Sequence, residues 1–279
     1  VKCFERPDGK VFPVSLKASD VVDALKRACP KAVFKMETRV ISCEKVGAHF
    51  VVKTDRGDYL SKALVVATGG RSYPSLGTTG DGYAIAETFG HTIIPTKPGL
   101  TGIVTREKTL AALQGVSIES VTLTLNRRDQ KSKVYQGTLL FTHFGLSGPV
   151  IINNSRDFDR KDSLLINFLA SPSDAVERQF IETASLSGDK PIAFYLNQLK
   201  LPDVLKGLIM ADAPFDRDTK LSTVTKQQRK WLMQQLTGYV CEIESLIGYQ
   251  QAMVTVGGIS CDELDAKKDR KSTRLNSSH

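Results

Sequence analysis

The chain has 279 residues, of which 41% are apolar and 24% are charged, and its formal net charge is +8. This composition is typical of a folded globular protein and argues against a disordered chain. The apolar runs, such as ALVVA at residues 63–67, are far too short for a transmembrane helix, which needs about 20 residues. The opening residues show no signal-peptide pattern. We therefore expect no association with a membrane.

The five cysteines and four histidines are scattered along the chain. No pair of cysteines has the C-x-x-C spacing, and the odd count does not suit a disulfide framework. The sequence therefore predicts neither disulfides nor a metal site. A reducing, cytoplasmic location fits this use of cysteine best.

The first part of the chain combines strand and helix patterns. Residues 1–14 predict a hairpin around Asp8-Gly9, and a helix is predicted from Ser19-Asp20 to just before Pro30. Strand-like runs follow at 34–43, 49–54 and 59–67, with a turn at 56–58. The last run ends in the apolar residues LVVA and predicts a buried strand.

A glycine-rich segment follows that predicted strand. The residues Ala67-Thr68-Gly69-Gly70 would let a ligand approach the backbone closely, because glycine has no Cβ atom. A helix is predicted to open at residues 79–83 (TGDGY) and to end at Gly90. The unpaired amides of its first turn suit a phosphate or a flavin carbonyl. Equally, this could be an ordinary strand–turn–helix connection with Asp81 as the N-cap.

Two further segments combine glycines with other small residues. In residues 142–149 (THFGLSGP), Ser147 does not fit the G-x-S-x-G pattern of a hydrolase nucleophile, so we interpret this segment as a turn that positions backbone donors. In residues 255–259 (TVGGI), a second predicted strand ends in paired glycines. The two strand ends with paired glycines could border one ligand, or could be two ordinary tight turns.

The rest of the chain changes character twice. Residues 98–169 predict short strands with basic loops at 126–133 and 156–162, residues 173–249 are mainly helical, and residues 251–260 return to a strand. This order predicts one α/β domain that carries insertions. The last strand would rejoin the first part of the chain.

Four segments of the sequence, KVFPVSLKASDVVDAL, LVVATGGRSYPSLGTTGDGYAIAETFGHTIIP, LLFTHFGLSGPVII and VTVGGISCDEL, resemble the YhiN/BaiN-like flavoproteins. These are NAD(P)/FAD-dependent oxidoreductases with aminoacetone-oxidase-like members. The resemblance implies an α/β fold: an incomplete FAD-binding Rossmann-like domain of the two-dinucleotide-binding-domain type, with inserted β-barrel-like and helical domains. The implied parts are a partial FAD-binding domain at 1–97, a β-rich insertion at 98–172, a helical insertion at 173–250, a return to the FAD-binding domain at 251–268, and a tail at 269–279.

The resemblance also implies which residues contact FAD. The adenine would meet the backbone at Val40, and the flavin would lie against two glycine-rich segments and the returning strand. The implied cofactor-binding residues are Val40, Ala67, Thr68, Gly69, Gly70, Ser72, Tyr73, Thr79, Gly80, Asp81, Gly82, Tyr83, Gly257 and Gly258. No catalytic acid or base is identified, and His143 and Tyr73 are candidates because they lie in the motif loops.

The sequence departs from the family at both ends. Family members begin with a strand, a G-x-G-x-x-G turn and a helix, a pattern that this chain lacks. Residues 269–279 resemble the translation of a sequencing adapter, and without them the net charge falls from +8 to +6. We therefore expect an internal fragment that does not retain FAD by itself and is inactive as it stands.

The leading hypothesis is an FAD-dependent oxidoreductase that acts on a small organic molecule, with either NAD(P)H as reductant or oxygen as oxidant. The alternative is a non-catalytic basic protein that binds RNA, or a scaffold derived from a flavoprotein. Aromatic residues do not alternate with the basic runs, so we expect no nucleic acid partner. The substrate and the oligomeric state are not determined by the sequence.

Overall fold

A computed structural model describes residues 1–7, 9–127 and 131–263. The chain divides into two compact units, the first comprising Val1–Leu64 and the second beginning at Val65. The predicted tail at 269–279 lies outside the described residues. Among those residues, no helix combines the length and hydropathy that crossing a membrane requires.

The first unit contains a short hairpin, one helix and a three-stranded meander. Its elements are β1 (Cys3–Glu5), β2 (Val11–Pro13), α1 (Ala18–Ala28), β3 (Val40–Val46), β4 (His49–Thr54) and β5 (Gly57–Ser61). The strands β1 and β2 pair antiparallel, which confirms the predicted hairpin, although Asp8 of its turn lies outside the described residues. The predicted helix is confirmed by α1, and the strand at 49–54 by β4.

Two strand predictions in the first part of the chain are wrong. The run at 34–43 becomes a strand only from Val40, because Glu37 adopts a left-handed backbone with φ 51° that interrupts the extended run. The run at 59–67 ends as a strand at Ser61, and Val65 is 85% exposed instead of buried. A strand requires a hydrogen-bonded neighbour, and no described strand pairs with the LVVA residues.

The second unit contains six helices and eight strands within the described residues. They are α2 (Asp81–Thr88), β6 (Ile93–Gly99), β7 (Ile103–Thr105), β8 (Ser117–Asn126), β9 (Lys133–Thr142), β10 (Gly145–Ser147), α3 (Pro149–Ile152), β11 (Ser163–Asn167), α4 (Ser173–Leu186), α5 (Ile192–Gln198), α6 (Asp203–Ala211), α7 (Lys226–Thr237), β12 (Tyr239–Leu246) and β13 (Val254–Ile259). Short 3₁₀ turns connect several of them.

Six of these strands close a small antiparallel barrel in the order β10-β7-β12-β11-β8-β9. The alternation of apolar residues along β8 turns Val121, Leu123 and Leu125 into the barrel, where all three are buried. Leu139 and Phe141 of β9 and Leu164 of β11 do the same. The barrel interior is thus filled with side chains, as expected for a barrel of this size.

The helices α4 to α7 lie between β11 and β12 in the sequence and share their core with the barrel. Phe180 of α4 packs edge-on against Tyr195 of α5, with ring centroids 4.9 Å apart. The expectation that residues 173–249 are mainly helical fails at β12, which pairs with β11 and β7. Its buried residues Cys241 and Ile243 alternate with more exposed ones, and the strand closes the barrel through pairing that is remote in sequence.

The last described strand returns to an earlier part of the chain. As predicted, residues 251–260 contain a strand, β13, and it pairs antiparallel with β6 from Val254 opposite Gly99 to Ile259 opposite Ile93. The register shifts between Val256 and Gly258, so Gly257 forms a bulge. This pairing brings the second pair of glycines beside α2, which also packs on both strands.

Candidate functional site

Two of the glycine-bearing regions predicted from the sequence, residues 67–83 and 255–258, meet in the second unit. The third, at 142–149, was interpreted as a turn, but Gly145–Ser147 form the barrel strand β10. A Cβ atom placed on Gly70 would lie 2.5 Å from Thr255 Oγ1 and 3.3 Å from Tyr83 Oη, and one on Gly258 would lie 3.2 Å from Tyr83 Cε1. These approaches leave no room for a larger residue at Gly70. We refer to residues 67–73, 79–83 and 255–258 together as the glycine junction.

Hydrogen bonds to Thr255 hold the first segment against β13. The Arg71 backbone N–H donates to Thr255 Oγ1 at 2.8 Å, and the hydroxyl groups of Ser72 and Thr255 are 3.2 Å apart. The Thr78 hydroxyl donates to the carbonyls of Ser72 and Tyr73, which fixes the turn that follows. One threonine of the returning strand therefore orients the backbone directly after Gly69-Gly70.

A second set of contacts connects Arg71 and Tyr73 to Tyr249, which follows the barrel strand β12 in the chain. The Tyr73 backbone N–H donates to the Tyr249 carbonyl at 3.0 Å. The Arg71 guanidinium lies over the Tyr249 ring, 5.8 Å from its centroid, and donates to Thr96 Oγ1 at 3.3 Å. The Tyr249 hydroxyl donates to the same threonine oxygen at 3.0 Å. Arg71 thus has both a polar and an aromatic partner.

The N-cap of α2 is not the residue that the sequence suggested. The N-cap is Gly80, whose φ of 87° is strained for other residues, and no side chain caps the helix. The alternative in which Asp81 is the N-cap is therefore wrong: Asp81 is the first helical residue and accepts a hydrogen bond from the Thr79 hydroxyl at 2.8 Å. Gly82 is buried against Thr68, so the helix start packs directly on the first segment.

The backbone of residues 67–69 is exposed. Within the part of the chain that the structure describes, its amides and carbonyls have no hydrogen-bond partner. Because backbone N–H and C=O groups are strong hydrogen-bonding groups, this stretch offers both donors and acceptors to a ligand. It lies in sequence directly before the packed part of the glycine junction.

Tyr83 lies at the centre of the glycine junction. Burial raises the pKa of its phenol above the ordinary value of 10.0, the nearby Tyr249 raises the pKa further, and the positive charge of Arg71 opposes both effects. The Tyr83 phenol is therefore protonated at neutral pH and can donate a hydrogen bond. Tyr83 therefore places a hydrogen-bond donor beside Gly70 and Gly258.

The two candidate catalytic residues have different surroundings. Tyr73 adopts a left-handed backbone with φ 55°, and its side chain is 41% exposed next to the glycine junction. His143 lies in the two-residue turn between β9 and β10, is exposed, and contacts the Phe144 ring edge-on at 4.8 Å. Val40 belongs to the first unit, where it begins β3 and is 40% exposed.

Sequence reasoning missed four residues that organise the site: Arg71, Thr96, Tyr249 and Thr255. Arg71 directly follows Gly70, and Thr255 lies two residues before Gly257, so closeness to paired glycines was an available signal for both. Thr96 and Tyr249 have no such signal, because contacts between segments far apart in the chain bring them to Arg71.

A comparison with known protein families shows which family the chain belongs to. The model of the HI0933-like protein Rossmann domain matches residues 1–275. The chain belongs to the HI0933-like family. This confirms the family indicated by the sequence motifs, and the HI0933-like chain has the mixed α/β fold expected of it, with a small six-stranded barrel.

Curated relatives of this HI0933-like chain carry two kinds of name. It is 31% identical over 258 residues to the ribosomal RNA dihydrouridine synthase of Haemophilus influenzae and 30% identical over 266 residues to that of Escherichia coli, each match covering 90% of this chain. It is also 29% identical over 150 residues to a 3-dehydro-bile acid delta(4,6)-reductase of Clostridium scindens. That match covers 53% of this chain and 36% of the reductase. The chain spans 62% of the length of the first two relatives.

Proposed function

We propose that this protein is an FAD-dependent reductase that adds a hydride and a proton across a C=C bond conjugated to a carbonyl group. The observation that carries the proposal is the glycine junction, in which three segments distant in sequence pack together beside an exposed backbone stretch with unused hydrogen-bonding groups. Such an arrangement suits a large cofactor that is bound mainly through backbone contacts.

The chemistry common to the relatives' names supports this reaction type. Dihydrouridine differs from uridine by two hydrogens on a ring C=C bond that is conjugated to a carbonyl. A delta(4,6)-reductase acts on ring C=C bonds, and the 3-dehydro position of its named substrate places a carbonyl in conjugation with them. In both cases the carbonyl makes one carbon of the double bond receptive to hydride. A flavin supplies hydride chemistry that amino acid side chains cannot.

The residues of the glycine junction fit a flavin. The amides and carbonyls at residues 67–69 would bind the polar groups along the cofactor, and Gly257 and Gly258 would allow the returning strand to approach it. Asp81 places a carboxylate in the first turn of α2, and this charge repels phosphate. The uncapped amides of that turn therefore suit a neutral acceptor such as a flavin carbonyl better than the pyrophosphate.

The chain's own residues would then orient the cofactor and supply a proton. Once reduced by NAD(P)H, a bound flavin would supply hydride chemistry for the carbon of the double bond that lies farther from the carbonyl. The carbon next to the carbonyl must then receive one proton, and either Tyr73 or His143 is the donor that we propose. Tyr83, which is held protonated, would donate a hydrogen bond at the centre of the junction. We also propose the domain boundaries inferred from the sequence, with the FAD-binding parts at 1–97 and 251–268 and the two insertions at 98–172 and 173–250.

We propose NAD(P)H as the source of electrons, since a reduction consumes two electrons that the chain cannot provide. The substrate class is the uracil ring of RNA, because the two relatives with that name match 90% of the chain. A small cyclic enone is the second candidate, supported by the bile acid reductase, which matches 53%. The first candidate departs from the small-molecule substrate that we expected from the sequence.

The cofactor assignment can be tested at equilibrium, without requiring that FAD stays bound through purification, by titrating the chain with excess FAD and following the quenching of flavin fluorescence. In Gly80→Ala, a side chain enters a left-handed position with its Cβ 3.0 Å from Arg71 Cγ. We expect the Kd for FAD to rise about tenfold, because relieving about 1–2 kcal/mol of backbone strain against Arg71 and Tyr83 shifts the start of α2 away from the flavin. Gly115→Ala is the matched control, because Gly115 has a similar φ of 83° and open space around it. Equal Kd values for the two variants would refute the assignment.

A further inference from the structure

The fold brings the two basic loops of the sequence to the same end of the barrel. Asn126, at the end of β8, pairs with Ser163, at the start of β11, so the described residues 126–127 of the first loop lie beside residues 156–162 of the second. Arg127 of the first loop donates to the Asp157 carbonyl at 2.6 Å and to Asp159 Oδ2 at 3.0 Å in the second. We refer to the described residues 126–127, 131–133 and 156–162, together with Lys97, as the basic barrel end.

The carboxylates of the basic barrel end already have partners. Asp162 is buried and accepts from Arg127, Asp157 accepts from Lys133 Nζ at 2.8 Å, and Asp159 accepts from Lys97 Nζ at 2.6 Å. Burial raises the pKa of Tyr135 well above its ordinary value, and the hydrogen bond that its hydroxyl donates to Asp157 at 2.8 Å raises the pKa further. These contacts neutralise the acidic groups internally.

The remaining cations face solvent. Arg156, Arg160 and Lys161 are exposed, and in the described part of the chain none of them is within ion-pair distance of a carboxylate. Counting described residues only, the basic barrel end carries seven Lys and Arg side chains against three Asp, a net charge of +4 compared with +8 for the whole chain. Half of the net charge is therefore concentrated at one place on the surface.

A cleft beside this surface borders β13, the strand that also carries part of the glycine junction. A cleft of about 420 Å³ is lined on one side by Arg156, Asp157 and Asn153 and on the other by Val254 and Val256 of β13. Val256 directly precedes the glycine bulge of that strand. The cleft therefore places Arg156, one of the exposed cations, beside the strand that carries Gly257 and Gly258.

We infer that the basic barrel end binds the phosphate backbone of RNA and directs a nucleotide into this cleft. The inference rests on the proposed function, because it takes RNA as the substrate. Phosphate contacts by Lys and Arg provide most of the affinity for a nucleic acid without reading its sequence. Exposed Arg156, Arg160 and Lys161 can each contact a phosphate without breaking an internal ion pair.

The test is binding of a fluorescent single-stranded, uridine-containing RNA to the full chain at several salt concentrations. In the triple variant R156Q/R160Q/K161Q, the loss of three phosphate contacts should reduce the slope of log K against log[salt] by about 2 and weaken binding at least about tenfold at moderate salt. The control K200Q/K226Q/K230Q removes the same charge from exposed lysines of the helical region and should leave binding unchanged. Circular dichroism checks that both variants fold.

Three results would overturn the inference: no salt-dependent binding of RNA by the parent chain, equal loss of binding in the two triple variants, or binding of the parent chain to anionic phosphatidylserine vesicles in place of RNA. The FAD titration of Gly80→Ala and Gly115→Ala is independent of all three. Failure of RNA binding with a normal FAD result would remove only this inference. A failed FAD result would remove the proposed function and leave a surface that binds RNA.

Discussion

The pair formed by Arg127 and Asp162 offers a direct test of the energetics of the barrel. The Asp162 side chain is 7% exposed and that of Arg127 is 27% exposed. The carboxylate accepts from Arg127 Nε at 2.9 Å and from Nη2 at 2.5 Å, and also from the Asp159 backbone N–H at 2.8 Å. In Arg127→Met, Asp162 would retain one of these three donors and remain buried without a counter-charge.

Removing one partner of a buried ion pair costs about 3–5 kcal/mol, and the partial exposure of Arg127 favours the lower end of this range. We therefore expect the free energy of unfolding to fall by about 3 kcal/mol. With a denaturant dependence of about 3 kcal/mol per molar urea, the midpoint should fall by about 1 M. The single tryptophan, Trp231, packs edge-on against Phe215 at 5.8 Å in the second unit, so its fluorescence can report the transition.

Lys133→Met is the matched control. It removes a cation from the same end of the barrel, but the Lys133 side chain is 56% exposed and its partner Asp157 retains the Tyr135 hydroxyl. A solvent-exposed ion pair contributes about 0–1 kcal/mol, so the urea midpoint should move only slightly. If both variants lose the same stability, the reasoning from burial is wrong.

Two further predictions concern titratable groups. Glu263 has a pKa below its ordinary value of 4.5 because the Thr92 backbone N–H donates to it, with a further hydrogen bond from His91. Its stabilising effect should be complete above pH 4.5 and be lost as the pH falls through the lowered value. Thermal unfolding measured against pH should therefore differ between the parent chain and Glu263→Gln, and superimposable profiles would contradict this. Burial raises the pKa of the Cys43 and Cys241 thiols, so a disulfide reagent should label only the exposed cysteines of the folded chain at once, and all five after unfolding. Rapid labelling of all five in the folded state would show that these two sites open readily. The exposed cysteines are Cys3, Cys29 and Cys261.

The sequence by itself determined the features that depend on local chemistry. Glycines at positions with positive φ, such as Gly69, Gly80 and Gly257, were recognisable because few other residues adopt that backbone. The short strand-like run of β4 and the helical spacing of α1 were likewise visible, since each depends on neighbouring residues. These motifs were also enough to identify the family.

Other features were decided only by the tertiary structure. The apolar residues LVVA do not form a strand, because strand formation depends on a partner that no local pattern specifies. The strand β12 lies in a region of helical pattern and exists because it closes the barrel between β11 and β7. The LVVA residues have no pairing strand among the described residues, whereas the hydrogen bonds of β12 join residues far apart in the chain.

Pairing between distant segments also formed the glycine junction and the basic barrel end. The sequence indicated that two pairs of glycines could border one ligand, but Thr255 meets Gly70 only because β13 pairs with β6. The basic loops were visible as two separate segments, and the pairing of β8 with β11 combined them into one surface. Local residue chemistry determines which groups can bind, whereas contacts between distant segments determine which of those groups act together.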